Sequence, residues 1–211
     1  MRVAKKPPTE RPSVFGSAPA DRGDKPAKKR RFPIRTEEAL KNLALSYVAR
    51  FPCTTDKLRK HLAKKMRDAL DANEAQPGDG RRWIDGVIAT LTRVRLLDDT
   101  AYAEARAMTL HRRGRSMSII VRDLALKGAP EAAISHARDA LAETSEHPDL
   151  SAAARLAKKK RLGPFSKLQP LTQDLRRKHL ATLARNGFSF DTARTVVDAK
   201  HASELDALIG A

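Results

Sequence analysis

Four kinds of residue in this chain could do chemistry. Asp98 and Asp99 are adjacent carboxylates, the residue type with which a metal-dependent nuclease holds a divalent cation. Cys53 is a lone thiol, and His61, His111, His136, His147, His179 and His201 are potential metal ligands or general bases. Arg112, Arg113 and Arg115 crowd Gly114 in the stretch HRRGRSMSIIVRDLALKGAPEAAI. Guanidinium forks of this kind grip phosphates or an acidic protein surface.

Spacing removes most of these options. The closest histidines, His136 and His147, are eleven residues apart, so no helix presents a metal-binding face. One cysteine excludes both an intrachain disulfide and a zinc knuckle, and it fits a reducing cytoplasm. Cys53 has no histidine nearby to activate it and reads as a small buried residue. Asp98 and Asp99 precede a helical pattern, where carboxylates cap the helix and complement its dipole. Trp83 opens an apolar stripe and reads as core. With neither a phosphate-binding glycine loop nor a dinucleotide fingerprint, the chain is expected to be no enzyme and to use no metal or cofactor. What remains is charge.

The 211 residues carry a net charge of +17, which points to an anionic partner. That charge is unevenly spread. Residues 1–36 hold 11 Lys/Arg against 3 acids, residues 37–152 hold 19 against 17, and residues 153–187 hold 10 against 1. The candidate contact residues are therefore Arg112, Arg113, Arg115, Arg122 and Lys127 in the middle of the chain, then Lys158, Lys159, Lys160, Arg161, Arg176, Arg177 and Lys178. Lys158–Arg161 are followed by LGPF rather than by Tyr or Trp, so backbone attraction is expected there rather than base stacking. No run of apolar residues is long enough to span a membrane, and the basic amino-terminal stretch, which has no continuous apolar segment, is not expected to be a secretory signal.

The elements that must position these residues are helices. Aromatics make up only 4% of the chain and much of its apolar content is Ala and Leu, which favours helix over strand. Apolar stripes at helical spacing run through Leu40, Leu43, Ala44, Tyr47 and Val48, then Leu58, Leu62 and Met66, then Ile84, Val87, Ile88 and Leu91. A second set has Ala101, Tyr102, Ala105 and Thr109 on one side, then Ile120, Val121 and Leu124, then Ala133, Ile134, Ala137 and Leu141 after Pro130 at the first helical position. A third set spans about 149–161, a helix from Gln173 to Asn186, and a Ser189-capped helix burying Ala193, Val196 and Val197. Turn signals at FPCTT, with Thr54 or Thr55 as cap, and at NEAQPGDG divide the first set.

An offset of 62 residues lays Leu40 on Tyr102, Arg50 on Arg112, Thr54 on Ser116, Leu58 on Ile120 and Leu62 on Leu124. A further 59 lays Leu124, Gly128 and Ile134 on Leu183, Gly187 and Ala193. The expected fold is all-α: three tandem three-helix, helix-turn-helix-like repeats in an elongated, curved row. The expected divisions are a disordered basic Pro-rich tail at 1–36, repeats at 37–97, 98–146 and 147–200, and a tail at 201–211. The opening tail could lie on phosphates or simply keep the chain soluble.

Two adjacent helices joined by a glycine turn also suggest a helix-turn-helix DNA reader. Its third helix would need Arg, Lys, Asn or Gln in the first turns, where this chain has PEAAIS and SFDTAR. Base reading fails at that surface, although a DNA-binding or architectural protein remains the alternative.

The residues ALSYVARFPCTTDKLRKHLAKK, LLDDTAYAEARAMTLHRRGRSMSIIVRDLALKGAPEAAISHA and RRKHLATLARNGFSFDTARTVV resemble the RecX family of recombinase regulators over about residues 37–200. The second stretch is the most specific, through Asp98, Asp99, Tyr102, Ala103, Arg113, Gly114, Leu124, Lys127 and Gly128. FPCTT departs from the more basic, serine-containing turn usual in that family. The resemblance implies a monomeric, non-enzymatic modulator that lodges in the groove of the RecA filament on single-stranded DNA. It would limit filament extension, recombination and coprotease activity, and hence act on DNA repair and the SOS response.

Overall fold

A computed structural model describes residues 34–71 and 80–210, and every regular element among them is helical. The first group is α1 (Glu37–Val48), α2 (Thr55–Asp71) and α3 (Gly80–Arg93). Thr36 starts α1 by accepting the Ala39 amide at 3.2 Å, and Glu37 and Glu38 in the first turn complement the helix dipole. Thr54 starts α2 in the same way, from the Lys57 amide at 3.2 Å. Leu40, Ala44, Leu58, Leu62, Met66, Ile84, Val87, Ile88 and Leu91 then meet in one core.

The second group is α4 (Asp99–Arg112), α5 (Met117–Leu126) and α6 (Glu131–Thr144), with a separate core centred on Ile120, Leu124, Ile134 and Leu141. Arg106 of α4 donates two hydrogen bonds to Asp123 of α5, at 2.7 and 3.0 Å. They hold the Asp123 carboxyl below its usual range against the opposing effect of burial. The third group is α7 (Pro148–Lys160), a 3-10 turn at Gly163–Phe165, α8 (Gln173–Arg185), α9 (Phe190–Val197) and α10 (Ala202–Gly210). Its core includes Leu156, Leu183, Val196, Val197 and Leu205.

Four expectations change. Residues 201–211 are not simply a tail: α10 packs against α7, because Leu205, Leu208 and Ile209 recur at helical spacing and turn one face inward. Ile34, assigned to the opening tail, is buried at the first core, while residues 1–33 lie outside the described residues. The buried face of α4 is Ala103, Ala107, Leu110 and His111, whereas Ala101, Ala105 and Thr109 are exposed. Small residues surround α4 on nearly every side, so apolar periodicity alone fixes its rotation poorly. Pro130 caps α6 with an extended backbone and is not its first helical residue, its carbonyl accepting the Ile134 amide at 3.0 Å. Except for Gly80, which opens α3, the NEAQPGDG loop lies outside the described residues.

The groups are joined in a similar way twice: a carboxylate-to-amide bond recurs at matching positions, and a hydroxyl-to-carbonyl bond accompanies it each time. At the start of α2, the Thr54 hydroxyl donates to the Lys127 carbonyl at the end of α5 (2.5 Å), and the Thr55 amide donates to Asp99 of α4 (2.7 Å). At the start of α5, the Ser118 hydroxyl donates to the Gly187 carbonyl after α8 (2.9 Å), and the Met117 amide donates to Asp149 of α7 (2.7 Å). Gly128 (φ +78°) and Gly187 (φ +80°) occupy matching places in these joints. A Cβ on Gly128 would collide with the Asp56 carboxylate, and one on Gly187 would stand 2.5 Å from the Ser116 hydroxyl. Only glycine accepts both the left-handed backbone and that proximity.

Candidate functional site: the basic turns and the helix that carries them

The Arg112–Arg115 turn is built from its neighbours. α4 ends at Arg112, Arg113 caps it, and Ser116 starts α5 by accepting the Ile119 amide at 3.4 Å. Gly114 lies against α7 so closely that a Cβ would stand 3.0 Å from the Leu156 nitrogen and 3.1 Å from the Ala152 oxygen. With the glycine turned inward, Arg112, Arg113 and Arg115 are left on the outside, all exposed.

Buried His111 fixes this turn to α7. Its Nε2 donates to the Pro148 carbonyl at 2.7 Å, leaving Nδ1 to accept from Arg155 at 3.4 Å. Arg155 also donates to the Ile209 carbonyl of α10 at 3.2 Å, so one cluster ties α4, α7 and α10 together. Burial is the main cause pushing the His111 pKa down, and the Arg155 charge adds to it against the Pro148 hydrogen bond. The neutral ring is the form that fits, since a second N–H would face the guanidinium.

α7 thus carries both basic regions. Its first turns hold the arginine turn, and its last turn presents Lys158, Lys159 and Lys160, with Arg161 following in a left-handed conformation (φ 56°). Asp149 and Lys159 are separated along the helix by about 15 Å at 1.5 Å per residue. The three lysines also complement the negative end of the helix.

The candidate cations do not share one fate. Lys158 pairs with Asp206 at 3.0 Å, and Arg176 forms a two-pronged pair with Asp198 at 2.6 and 2.5 Å. The hydrogen bonds from Arg176 hold the Asp198 carboxyl low. Lys127 is half-buried at the first joint, beside Asp123. Arg115 makes a long contact with Asn186 at the end of α8, 3.4 Å. Arg112, Arg113, Arg122, Lys159, Lys160, Arg161, Arg177 and Lys178 are exposed and form no ion pair among the described residues.

Asp98 does cap α4, accepting the Thr100 and Ala101 amides at 2.9 and 3.0 Å. Asp99 has a different task, reaching the first group through Thr55. Asp149 and Arg155 do not stand out in the sequence, and His111 does so only as a potential ligand or base. The signal for Asp149 was available, since a carboxylate recurs in the first turn of the opening helix of both later groups. Among the described residues no three His, Cys, Asp or Glu side chains gather into a metal-binding group, and no helix is long and apolar enough to cross a membrane.

This chain is 39% identical over 188 residues to the regulatory protein RecX of Myxococcus xanthus (strain DK1622), covering 86% of this chain and 98% of that protein. The chain belongs to the RecX family of regulatory proteins. A RecX of Agrobacterium fabrum (strain C58 / ATCC 33970) is 30% identical over 157 residues, covering 74% of this chain and 80% of its own length. The crystal structure of RecX from Lactobacillus salivarius has the same fold at a TM-score of 0.56 and 22% identity, over 81% of this chain and 97% of that one. A second RecX crystal structure matches at 0.55 and 20% identity, over 77% and 71%. No protein-family model matches the chain. Within the RecX family, then, this chain is an all-helical protein whose exposed cations are spread over turns, helix ends and helix faces among the described residues.

Proposed function

We propose that this chain regulates the RecA recombinase by binding along the RecA filament on single-stranded DNA, limiting its extension, recombination and coprotease activity. The joint repeated between successive helical groups carries the reading. Like units in series can engage successive protomers of a periodic polymer, and several weak contacts on one backbone act as a strong one. Exposed cations at Arg112, Arg113, Arg115 and Lys159–Arg161 supply attraction to DNA phosphates and acidic protein surface. The protein acts as a monomer in the cytoplasm and performs no bond-making chemistry.

A base-reading helix-turn-helix is disfavoured, because α6 opens with Glu131 and α9 with Phe190 and Asp191, all exposed. The test is RecA-dependent ATP hydrolysis and strand exchange on single-stranded DNA with this protein added substoichiometrically. Progressive inhibition is expected. No effect at any ratio, together with tight site-preferring duplex binding, would replace this reading with the RecA-independent one.

A further inference from the structure

The turn between α1 and α2 carries aromatics where the matching turn between α4 and α5 carries arginines. Tyr47 stacks on His61 of α2 with ring centroids 4.1 Å apart and planes 22° apart. Phe51 leans on Tyr47 at 5.4 Å and 48°, and the Arg50 guanidinium lies loosely over the Phe51 ring, 5.8 Å from its centre. Tyr47 packs against the first core, but Phe51 is 51% exposed and contributes little to it. The offset of 62 places Arg50 on Arg112 and Phe51 on Arg113. Unit for unit, the same turn faces outward.

Cations lie beside the aromatic group, Arg50 at Phe51 and Lys64 and Lys65 at His61. Arg50 donates its Nε to the Ser46 carbonyl at 3.0 Å, which fixes the guanidinium beside Phe51. Lys57, Lys64 and Lys65 lie on the same side of α2 as His61, and neither they nor Arg50 form an ion pair among the described residues. Burial, then Lys65 and Lys64, push the His61 pKa down, consistent with an uncharged ring against Tyr47. The base of the turn is rigid, because the Phe51 amide donates to the Tyr47 carbonyl at 2.9 Å and Thr54 and Thr55 are held in the first joint.

An exposed ring backed by two others and flanked by cations is the combination that binds single strands: the aromatic takes a base face and the cations take phosphates. Duplex DNA does not suit it, since paired bases offer only their edges. We propose that Phe51, supported by Tyr47 and His61, is a stacking seat for an unpaired nucleobase of single-stranded DNA, with Arg50 and the α2 lysines on the flanking phosphates. The choice of ligand rests on the proposed function, but the seat requires no RecA.

The test is anisotropy of a labelled oligodeoxythymidylate and a matched abasic oligonucleotide with the full chain alone, comparing wild type with Phe51→Ala, Phe51→Trp and Arg50→Gln. Phe51→Ala is expected to weaken oligodeoxythymidylate binding by about 5- to 150-fold, the equivalent of 1–3 kcal/mol per stacked base, and to leave abasic binding unchanged. Phe51→Trp should retain wild-type affinity, and Arg50→Gln should lower the salt slope by about 1 on both oligonucleotides. A wild type that does not distinguish the two oligonucleotides overturns the seat. So does a folded Phe51→Ala variant that binds both like wild type, or loses both equally. Because RecA is absent from this assay, a wild type that stacks bases yet leaves RecA untouched overturns the proposed function alone.

Discussion

Asp149 holds the backbone amide of Met117 at 2.7 Å, the same bond at the same distance that Asp99 makes to Thr55 one joint earlier. Each carboxylate lies in the first turn of its own helix and satisfies an orphan N–H at the start of a helix in the preceding group. Asp149→Ala and Asp99→Ala are each expected to lower unfolding free energy by about 1–2 kcal/mol, read from urea denaturation. The double variant should lose about the sum, since the joints share no side chain.

The glycines at the joints give a sharper contrast. Gly187→Ala places a methyl against Ser116 and Ser118 in a left-handed backbone, whereas Gly210→Ala meets nothing within 4 Å. The former should cost at least about 1–2 kcal/mol and the latter should be close to neutral, as compared by thermal melting.

Stability should fall on mild acidification through His111. Its folded pKa lies below the usual value of about 6.5, so the unfolded chain binds the proton more tightly. The contribution is complete above about pH 6.5 and is lost as pH drops from there toward the lower folded pKa. His61 and His179, also lowered chiefly by burial, act in the same direction. Urea midpoints measured at about pH 7.5 and 5.5 should differ less in His111→Gln than in the wild type.

Not all candidate cations should matter equally for binding. Neutralising Arg112, Arg113 and Arg115, or Lys159 and Lys160, is expected to weaken engagement of RecA–DNA filaments and to reduce the salt slope by about 1 for each phosphate no longer neutralised. Lys158→Gln and Arg176→Gln should change it less, because Asp206 and Asp198 already engage those charges. Filament binding over a salt series ranks them directly.

α10 should prove part of the fold. Leu205→Ala empties a buried position and is expected to cost about 2–5 kcal/mol, while Phe190→Ala, 65% exposed, should stay within about 0.5 kcal/mol. Chemical denaturation of the two variants makes the comparison.

The helices of the first group were legible because Leu58, Leu62 and Met66, and likewise Ile84, Val87, Ile88 and Leu91, are large residues at one spacing on otherwise polar helices. α4 was legible as a helix but not in rotation, since Ala occupies both its exposed and buried faces. The clusters of cations could be read as charge, but their partners could not. Asp198 and Asp206 approach Arg176 and Lys158 only through the packing of α8, α9, α7 and α10, which no local pattern encodes. The proposed aromatic seat was hidden for a similar reason: Tyr47 and Phe51 are neighbours along the chain, but His61 meets Tyr47 only when α1 and α2 pack together.

The His111 cluster has a mechanical consequence. The second joint is braced by His111, Pro148 and Arg155 as well as by Asp149, whereas the position 62 residues before His111 is Ala49, which is exposed. The second joint therefore carries a brace that has no counterpart at the matching position of the first. Beyond the hydroxyl and carboxylate bonds that each joint has, the arginine turn is thus pinned at its back by a buried ring and a guanidinium, which ties the placement of Arg112–Arg115 to the start of α7.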